Sequence, residues 1–313
     1  THGATEALNL AALGWANHHL QPDDIVAIAE DNHHSNIIPW LTVAKRRGAE
    51  VLWIPLTEDG LLDYSVWTSI VECGPTVVAL CQQSNVLGFT QLHLERIAKE
   101  AHEAGSVVVL DGAQAAGHQP TSPTSLHADF YACSAHKMGG LTGVGALLCS
   151  DRIFDGMVPV YGGGGMAASV TRNGWEPMDG VNALEPGTPW TCALRELETA
   201  GLSALADHSS WLAQHTRTEL AAIDGVKVLG GNVSARFQSL VSFTVAGMHP
   251  HDVGQALSDQ GIMVRVGHHC ARPLHKALDT KASVRASFGG YSTAEDADAL
   301  VSAVAKLAQQ KER

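Results

Sequence analysis

With 313 residues, 45% of them hydrophobic and 17% charged, the chain is long enough to bury a large core and to form one large domain or two. Twenty lysines and arginines against 32 aspartates and glutamates leave a formal charge of −12, which argues against a nucleic-acid-binding surface. No apolar run is long enough to span a bilayer and no signal peptide is evident, so no membrane role is expected; six cysteines without C-x-x-C spacing fit a reducing compartment, hence the cytoplasm.

In chain order, the pattern predicts a helix from about Thr5 to His18, then an apolar strand from Ile25 to Ala29 that delivers Asp31, Asn32, His33 and His34. An amphipathic helix around Trp40 to Arg47 closes at Gly48 and a strand follows from Val51 to Ile54. After Gly74-Pro75 the strand Thr76 to Cys81 delivers Ser84 and Asn85, and a helix from Leu92 to Ala104 precedes the apolar run that ends at Asp111. Tyr131 to Cys133 and Ala146 to Cys149 read as strands around a polar, glycine-rich turn. Strands alternating with helices imply an α/β fold, a mostly parallel sheet with helices on both faces, and such sheets gather ligands at the C-terminal ends of their strands. From about Cys192 the pattern shifts to longer helices, Leu194 to Leu205 and Ser209 to Ala222, with strands near Val226 to Leu229 and Ser239 to Val245. A helix from His251 to Gln260, strands from Ile262 to Arg265 and Ser283 to Ser287, and a helix from Ala294 to Gln309 complete it. The expected division is a large domain, 1–205, and a smaller C-terminal α+β domain, 206–313.

Lys137 stands at a strand exit, in Ser134-Ala135-His136-Lys137, where a solvated loop lysine is the simplest reading. Asp111 ends a second strand and is followed at once by Gly112. A lysine able to form a Schiff base and an aspartate able to pair with a pyridinium nitrogen are what pyridoxal phosphate chemistry needs. The turn Gly3-Ala4-Thr5-Glu6, opening a helix, adds free N–H groups and a positive helix end suited to a phosphate.

These stretches, together with His33-His34 and Asn36, Ser84-Asn85-Val86-Leu87-Gly88, Asp111-Gly112-Ala113-Gln114 and Arg265-Val266-Gly267-His268-His269-Cys270, resemble the cysteine desulfurases. The resemblance covers the chain in the family's order and is nearest to the SufS-type subgroup of class V, fold-type I pyridoxal phosphate enzymes. It implies that Lys137 carries the cofactor, that Asp111 holds the ring nitrogen, that His33 stacks on the ring, and that Gln114 and Asn85 lie beside it. Ala4, Thr5, Ser134 and His136 then seat the phosphate with Thr188 of a second subunit, so a homodimer with shared sites is expected. Arg285 matches the grip on the substrate α-carboxylate; by itself, an arginine in an apolar strand could equally be half of an interior ion pair. Cys270, in a polar loop flanked by His268, His269 and Arg272, matches the sulfur acceptor, whereas Cys81, Cys133 and Cys149 read as small buried hydrophobes. Zinc held by His268, His269 and Cys270 is the rival reading of that loop.

The implied reaction turns L-cysteine into L-alanine and leaves a persulfide on Cys270 for a SufE- or SufU-type acceptor and iron–sulfur cluster assembly. A selenocysteine lyase, another class V lyase or transaminase, or a catalytically incomplete sulfur-transfer scaffold are the alternatives. Members of the family carry a further N-terminal segment before the position of Thr1, which is expected to be absent here. The sequence also departs from the family at Ala135, at Trp190 and in Phe288 to Ser292, the last close to the carboxylate grip.

Overall fold

A computed structural model describes residues 1–187, 202–231, 233 and 238–309. The helices are α1 (Ala4–Ala11), α2 (Asn17–His19), α3 (Ile38–Arg47), α4 (Tyr64–Glu72), α5 (Leu94–Glu103), α6 (Asp151–Phe154), α7 (Leu202–Ala221), α8 (Pro250–Ser258), α9 (Arg272–Ala277) and α10 (Ala294–Gln309). The first sheet contains β1 (Ile25–Ala29), β2 (Glu50–Ile54), β3 (Val77–Cys81), β4 (Val107–Asp111), β5 (Phe130–Ser134) and β6 (Gly145–Cys149), in the order β2-β1-β3-β4-β5-β6. All its neighbours run parallel except β6, which lies antiparallel on β5. A sheet covered on both faces needs continuously apolar central strands, and β3 (VVALC) and β4 (VVVLD) are buried at every position. One face packs Leu8, Trp40 and Phe130; the other packs Trp67, Ile97 and Leu110.

The second sheet, β9 (Val226–Val228), β10 (Leu240–Val245), β11 (Arg265–Gly267) and β12 (Ser283–Ser287), is antiparallel in the order β11-β12-β10-β9. Its apolar face packs on α7, α8 and α10 around Leu212, Phe243, Val253 and Leu300. A hairpin of β7 (Ala167–Thr171) and β8 (Gly174–Pro177) stands apart from both sheets.

The loop 82–91 joins the two halves. Val86, Leu87 and Phe89 are fully buried against Leu229, Ala271 and Leu274. Gly88 adopts φ +81, and a Cβ there would lie 2.2 Å from the Leu240 carbonyl oxygen, so the loop can approach β10 only as glycine. The Arg217 guanidinium of α7 donates to the carbonyls of Leu87, Leu229 and Gly231 and to Gln238, and the Ser242 hydroxyl donates to Val86 O.

Several elements differ from the sequence reading. The first helix passes through a π-helical turn, Ala12–Ala16, where Gly14 O is taken by the Val158 N–H. Helix α4, the β7–β8 hairpin and α9 were not anticipated. The strand expected at Ile262 to Arg265 forms three residues later, at Arg265–Gly267, where it pairs with β12. The helix expected from Leu194 lies, as far as residue 201, outside the described residues, and α7 runs unbroken to Ala221.

Candidate active site

The C-terminal ends of β1, β3, β4 and β5 meet on one edge of the first sheet. His33 reaches that edge because the turn after β1 is stitched to β3 by amides. Asn32 donates to Ala79 O, Asn36 donates to Leu80 O and to the Asn32 side chain, and the Trp40 indole donates to Asn36. His33 Nδ1 accepts from the Ser35 N–H at 3.1 Å, so the ring proton sits on Nε2. Burial, then the charges of Lys137, His34 and Arg285, push its pKa down to about 4, leaving a neutral ring at neutral pH.

Lys137 is half-buried in the 3-10 turn Ala135–Lys137 that leaves β5. The turn rests on Gly117, where a Cβ would come within 2.1 Å of Lys137 O, so the segment after Asp111 passes under the lysine only with glycine at that position. The Lys137 charge acts on His33, His136, His118 and Asp111, which sets all four around the same ammonium. Asp111 is 5% exposed and Oδ1 accepts the Ala113 N–H at 2.9 Å. Burial raises its pKa, opposed by that N–H and by Lys137. Gln114, half-buried, donates to Ser239 Oγ across the junction with the second sheet.

At the start of α1 the Ala4 N–H donates to Ser134 Oγ at 2.8 Å and Thr5 Oγ1 meets Ser35 Oγ at 2.7 Å; His136 is exposed beside them on the Lys137 turn. The structure therefore brings the start of α1 onto Ser134 and Ser35, with His136 two residues past Ser134. Thr188 lies outside the described residues.

Asn85 links both halves. Its side-chain amide donates to His269 O at 2.7 Å, its backbone carbonyl accepts from Arg285 Nη1 at 2.8 Å, and its Oδ1 is buried without a partner. Arg285 also has a buried Nε without a partner, and no carboxylate lies within ion-pair distance of it among the described residues. That geometry disfavours the interior ion pair and leaves a guanidinium open to a carboxylate brought from outside.

Cys270 is exposed, and it and His269 both have positive φ, 57° and 51°. Two successive non-glycine residues in that region are strained and need support from their surroundings. His34 supplies part of it, donating its N–H to Cys270 O and accepting the Arg272 N–H at Nε2. The rest comes from a relay in which His275 Nδ1 donates to Ala271 O, and the Ser283 hydroxyl lies 3.1 Å from both His275 Nε2 and His269 Nε2. The polar loop is a braced bend. His34 and His275 were missed because each acts through the backbone it holds, and Ser283 because it acts through two imidazole rings from another strand, which no local pattern reveals. Among the described residues no cluster of three metal-binding side chains forms. Cys81 is buried, but Cys133 and Cys149 are only half-buried, packed on the core from β5 and the edge strand β6, a correction to their reading as buried hydrophobes.

The aminotransferase class-V family model matches residues 1–300. A probable cysteine desulfurase of Streptomyces coelicolor is 38% identical over 312 residues, covering 96% of this chain and 74% of the relative; cysteine desulfurase CsdA of Escherichia coli is 39% identical over 308, covering 97% and 76%. The apo structure of the cysteine desulfurase from Thermococcus onnurineus superposes with a TM-score of 0.93 at 34% identity, over 99% of this chain and 78% of that one. Family match, relatives and site geometry agree: the chain belongs to the class-V aminotransferase family, among its cysteine desulfurases.

Proposed function

We propose that the chain is a SufS-type cysteine desulfurase that converts L-cysteine to L-alanine and keeps the sulfur as a persulfide on Cys270. The observation that carries this reading is Asn85, whose one side chain and carbonyl bind the Cys270 loop and Arg285 while it stands on the edge that bears Lys137 and Asp111. Pyridoxal 5'-phosphate is the cofactor, and the donor set fits it: a buried aspartate, a lysine amine, and the orphaned buried atoms Asn85 Oδ1 and Arg285 Nε. Lys137 would hold it, Asp111 would meet the ring nitrogen, His33 would cover a ring face with Asn85 and Gln114 beside it, and Ala4, Thr5, Ser134 and His136 would seat the phosphate with the partner subunit's Thr188. When bound, the cofactor supplies an electron sink for charge developing at the substrate Cα.

The chain's own groups do the rest. Arg285 holds the substrate carboxylate, and Lys137 Nζ removes the Cα proton. Cys270 Sγ attacks the substrate sulfur; the new S–S bond forms as the Cβ–S bond breaks, and the Cβ takes a proton before alanine departs. A SufE- or SufU-type thiol protein then collects the sulfur for iron–sulfur cluster assembly.

The large unit, 1–205, would bind the cofactor and the small unit, 206–313, would carry the Cys270 loop. A homodimer is supported by the β7–β8 segment, which exposes Val170, Trp175, Met178 and Val181 together. No described helix is long and apolar enough to cross a membrane, and the free cysteines support the cytoplasm.

The deciding experiment is alanine formation from L-cysteine by the cofactor-loaded chain, with Cys270→Ala beside it. Alanine from the parent alone is expected. Equal alanine from both would favour a selenocysteine lyase or another class V lyase or transaminase, and none from either, with cofactor still bound through Lys137, would favour the incomplete scaffold.

A further inference from the structure

Two depressions adjoin on the second sheet's side of the molecule. One, about 540 Å³, is bordered by His268, Arg272 and Lys276; the other, about 320 Å³, by Lys227 and His249; Asp279, Thr280 and Lys281 border both, so they form one groove. Four of the chain's 20 lysines and arginines, Lys227, Arg272, Lys276 and Lys281, stand along it, and Asp279 is its single acidic lining residue. No carboxylate is within ion-pair distance of any of these four bases among the described residues. Glu30 also feels the Lys276 charge. In a chain of net charge −12, such an exposed stretch, with four bases and one acid in its lining, concentrates a field of the opposite sign.

The groove ends at the reactive loop. His268 precedes Cys270 by two residues and Arg272 follows it by two, while the braced left-handed bend between them keeps Cys270 exposed. We propose that this groove docks an acidic segment of the protein that takes the sulfur from Cys270, a protein carrying aspartates or glutamates beside its own accepting thiol. The proposal rests on the persulfide reading. Transfer needs no outside electrons: the acceptor thiolate attacks the outer sulfur, the Cys270 S–S bond breaks, Cys270 leaves as thiolate and the acceptor holds the persulfide. Covalently held sulfur leaves only when another thiol is brought to it, which is why a protein segment fits better than a free anion. The net charge of −12 repels such a partner from the chain as a whole, while the groove beside Cys270 attracts it.

The test uses the cofactor-loaded chain, a fluorescent peptide of five glutamates followed by one cysteine, and its lysine counterpart. Expected is binding of the glutamate peptide at low salt about tenfold tighter than the lysine peptide, lost at high salt and reversed in Lys276→Glu/Lys281→Glu. With L-cysteine added, the peptide that binds should also acquire sulfur faster, read by mass spectrometry. Alanine formation with dithiothreitol as a neutral sulfur acceptor should not change in the double variant. Equal binding of the two peptides, a glutamate preference that survives the charge reversal, or tighter binding of a single-stranded oligonucleotide than of the glutamate peptide would each overturn the proposal. Binding is read without turnover, so it decides the groove even if the dithiothreitol assay yields no alanine, a result that would instead remove the desulfurase reading.

Discussion

Burial sets the charge of Asp31, two residues before His33. Its carboxyl is fully enclosed; Oδ2 accepts from the Gln91 amide at 2.8 Å while Oδ1 has no partner. Burial first, and then the nearby Asp111 charge, raise its pKa to about 7, with Gln91 opposing. A carboxyl whose folded pKa exceeds its unfolded value favours folding at low pH, and the contribution is lost as pH rises through the window from about 4 to 7. Asp31→Asn keeps an acceptor for Gln91 and removes the charge. It should leave thermal stability near the parent's at pH 4 and raise it at pH 8 by on the order of 3 kcal/mol, measured by unfolding at both values. A variant that gains nothing at pH 8 would show that the carboxyl ionises as readily in the folded chain as in the unfolded one, against a raised pKa. His33 and His269 act in the opposite sense, because burial pushes their pKa values down to about 4 and about 3. Unfolded, both would take up a proton below the usual histidine pKa; folded, they resist it, so their contribution is present above about pH 6.5 and is lost as pH falls through 4 to 3. Acid unfolding of His269→Gln should therefore begin at lower pH than that of the parent.

Helix α7 positions the site from a distance. Arg217 is 3% exposed and its guanidinium is spent on carbonyls on both sides of the junction, including Leu87 O, two residues from Asn85. Arg217→Met would keep most of the volume but leave those carbonyls without their donor. It should cost about 2–4 kcal/mol in chemical unfolding. Because Asn85 registers both Arg285 and the Cys270 loop, KM for L-cysteine should rise more than kcat falls; an equal loss in kcat would place the effect on the chemistry instead of on binding. The apolar runs revealed the strands because β3, and β4 up to Leu110, are continuously apolar, and a run such as Val107 to Leu110 has no other stable home. Periodicity concealed the π turn at Ala12–Ala16, since the Gly14–Val158 contact that opens it comes from residues 144 positions away.

For the whole molecule, the open question is what covers the β7–β8 segment. Val170 is 75% exposed and Val181 59%, well above what the core tolerates, and a second copy is the proposed cover. Val170→Glu with Trp175→Glu should convert the species seen in sedimentation from dimer to monomer and lower activity with it, since the phosphate seat is proposed to borrow Thr188 across the interface. A variant pair that remains dimeric would move the interface elsewhere.

Much of this protein was legible in the residues themselves. Apolar runs ending in polar groups marked the strand exits, and Lys137, Asp111 and the Gly3-Ala4-Thr5 turn announced a cofactor edge because a buried strand delivers its next residue to a fixed end of the sheet. What the tertiary structure alone decided is how the distant Cys270 loop meets that edge: through Asn85 amide to His269 O, His34 to Cys270 O, and Arg217 to Leu87 O. These are contacts across about 130 to 240 residues of chain, made by side chains or a backbone N–H to backbone carbonyls. Backbone atoms are the same in every residue, so no sequence pattern can point to them, and only the folded chain brings donor and acceptor within reach.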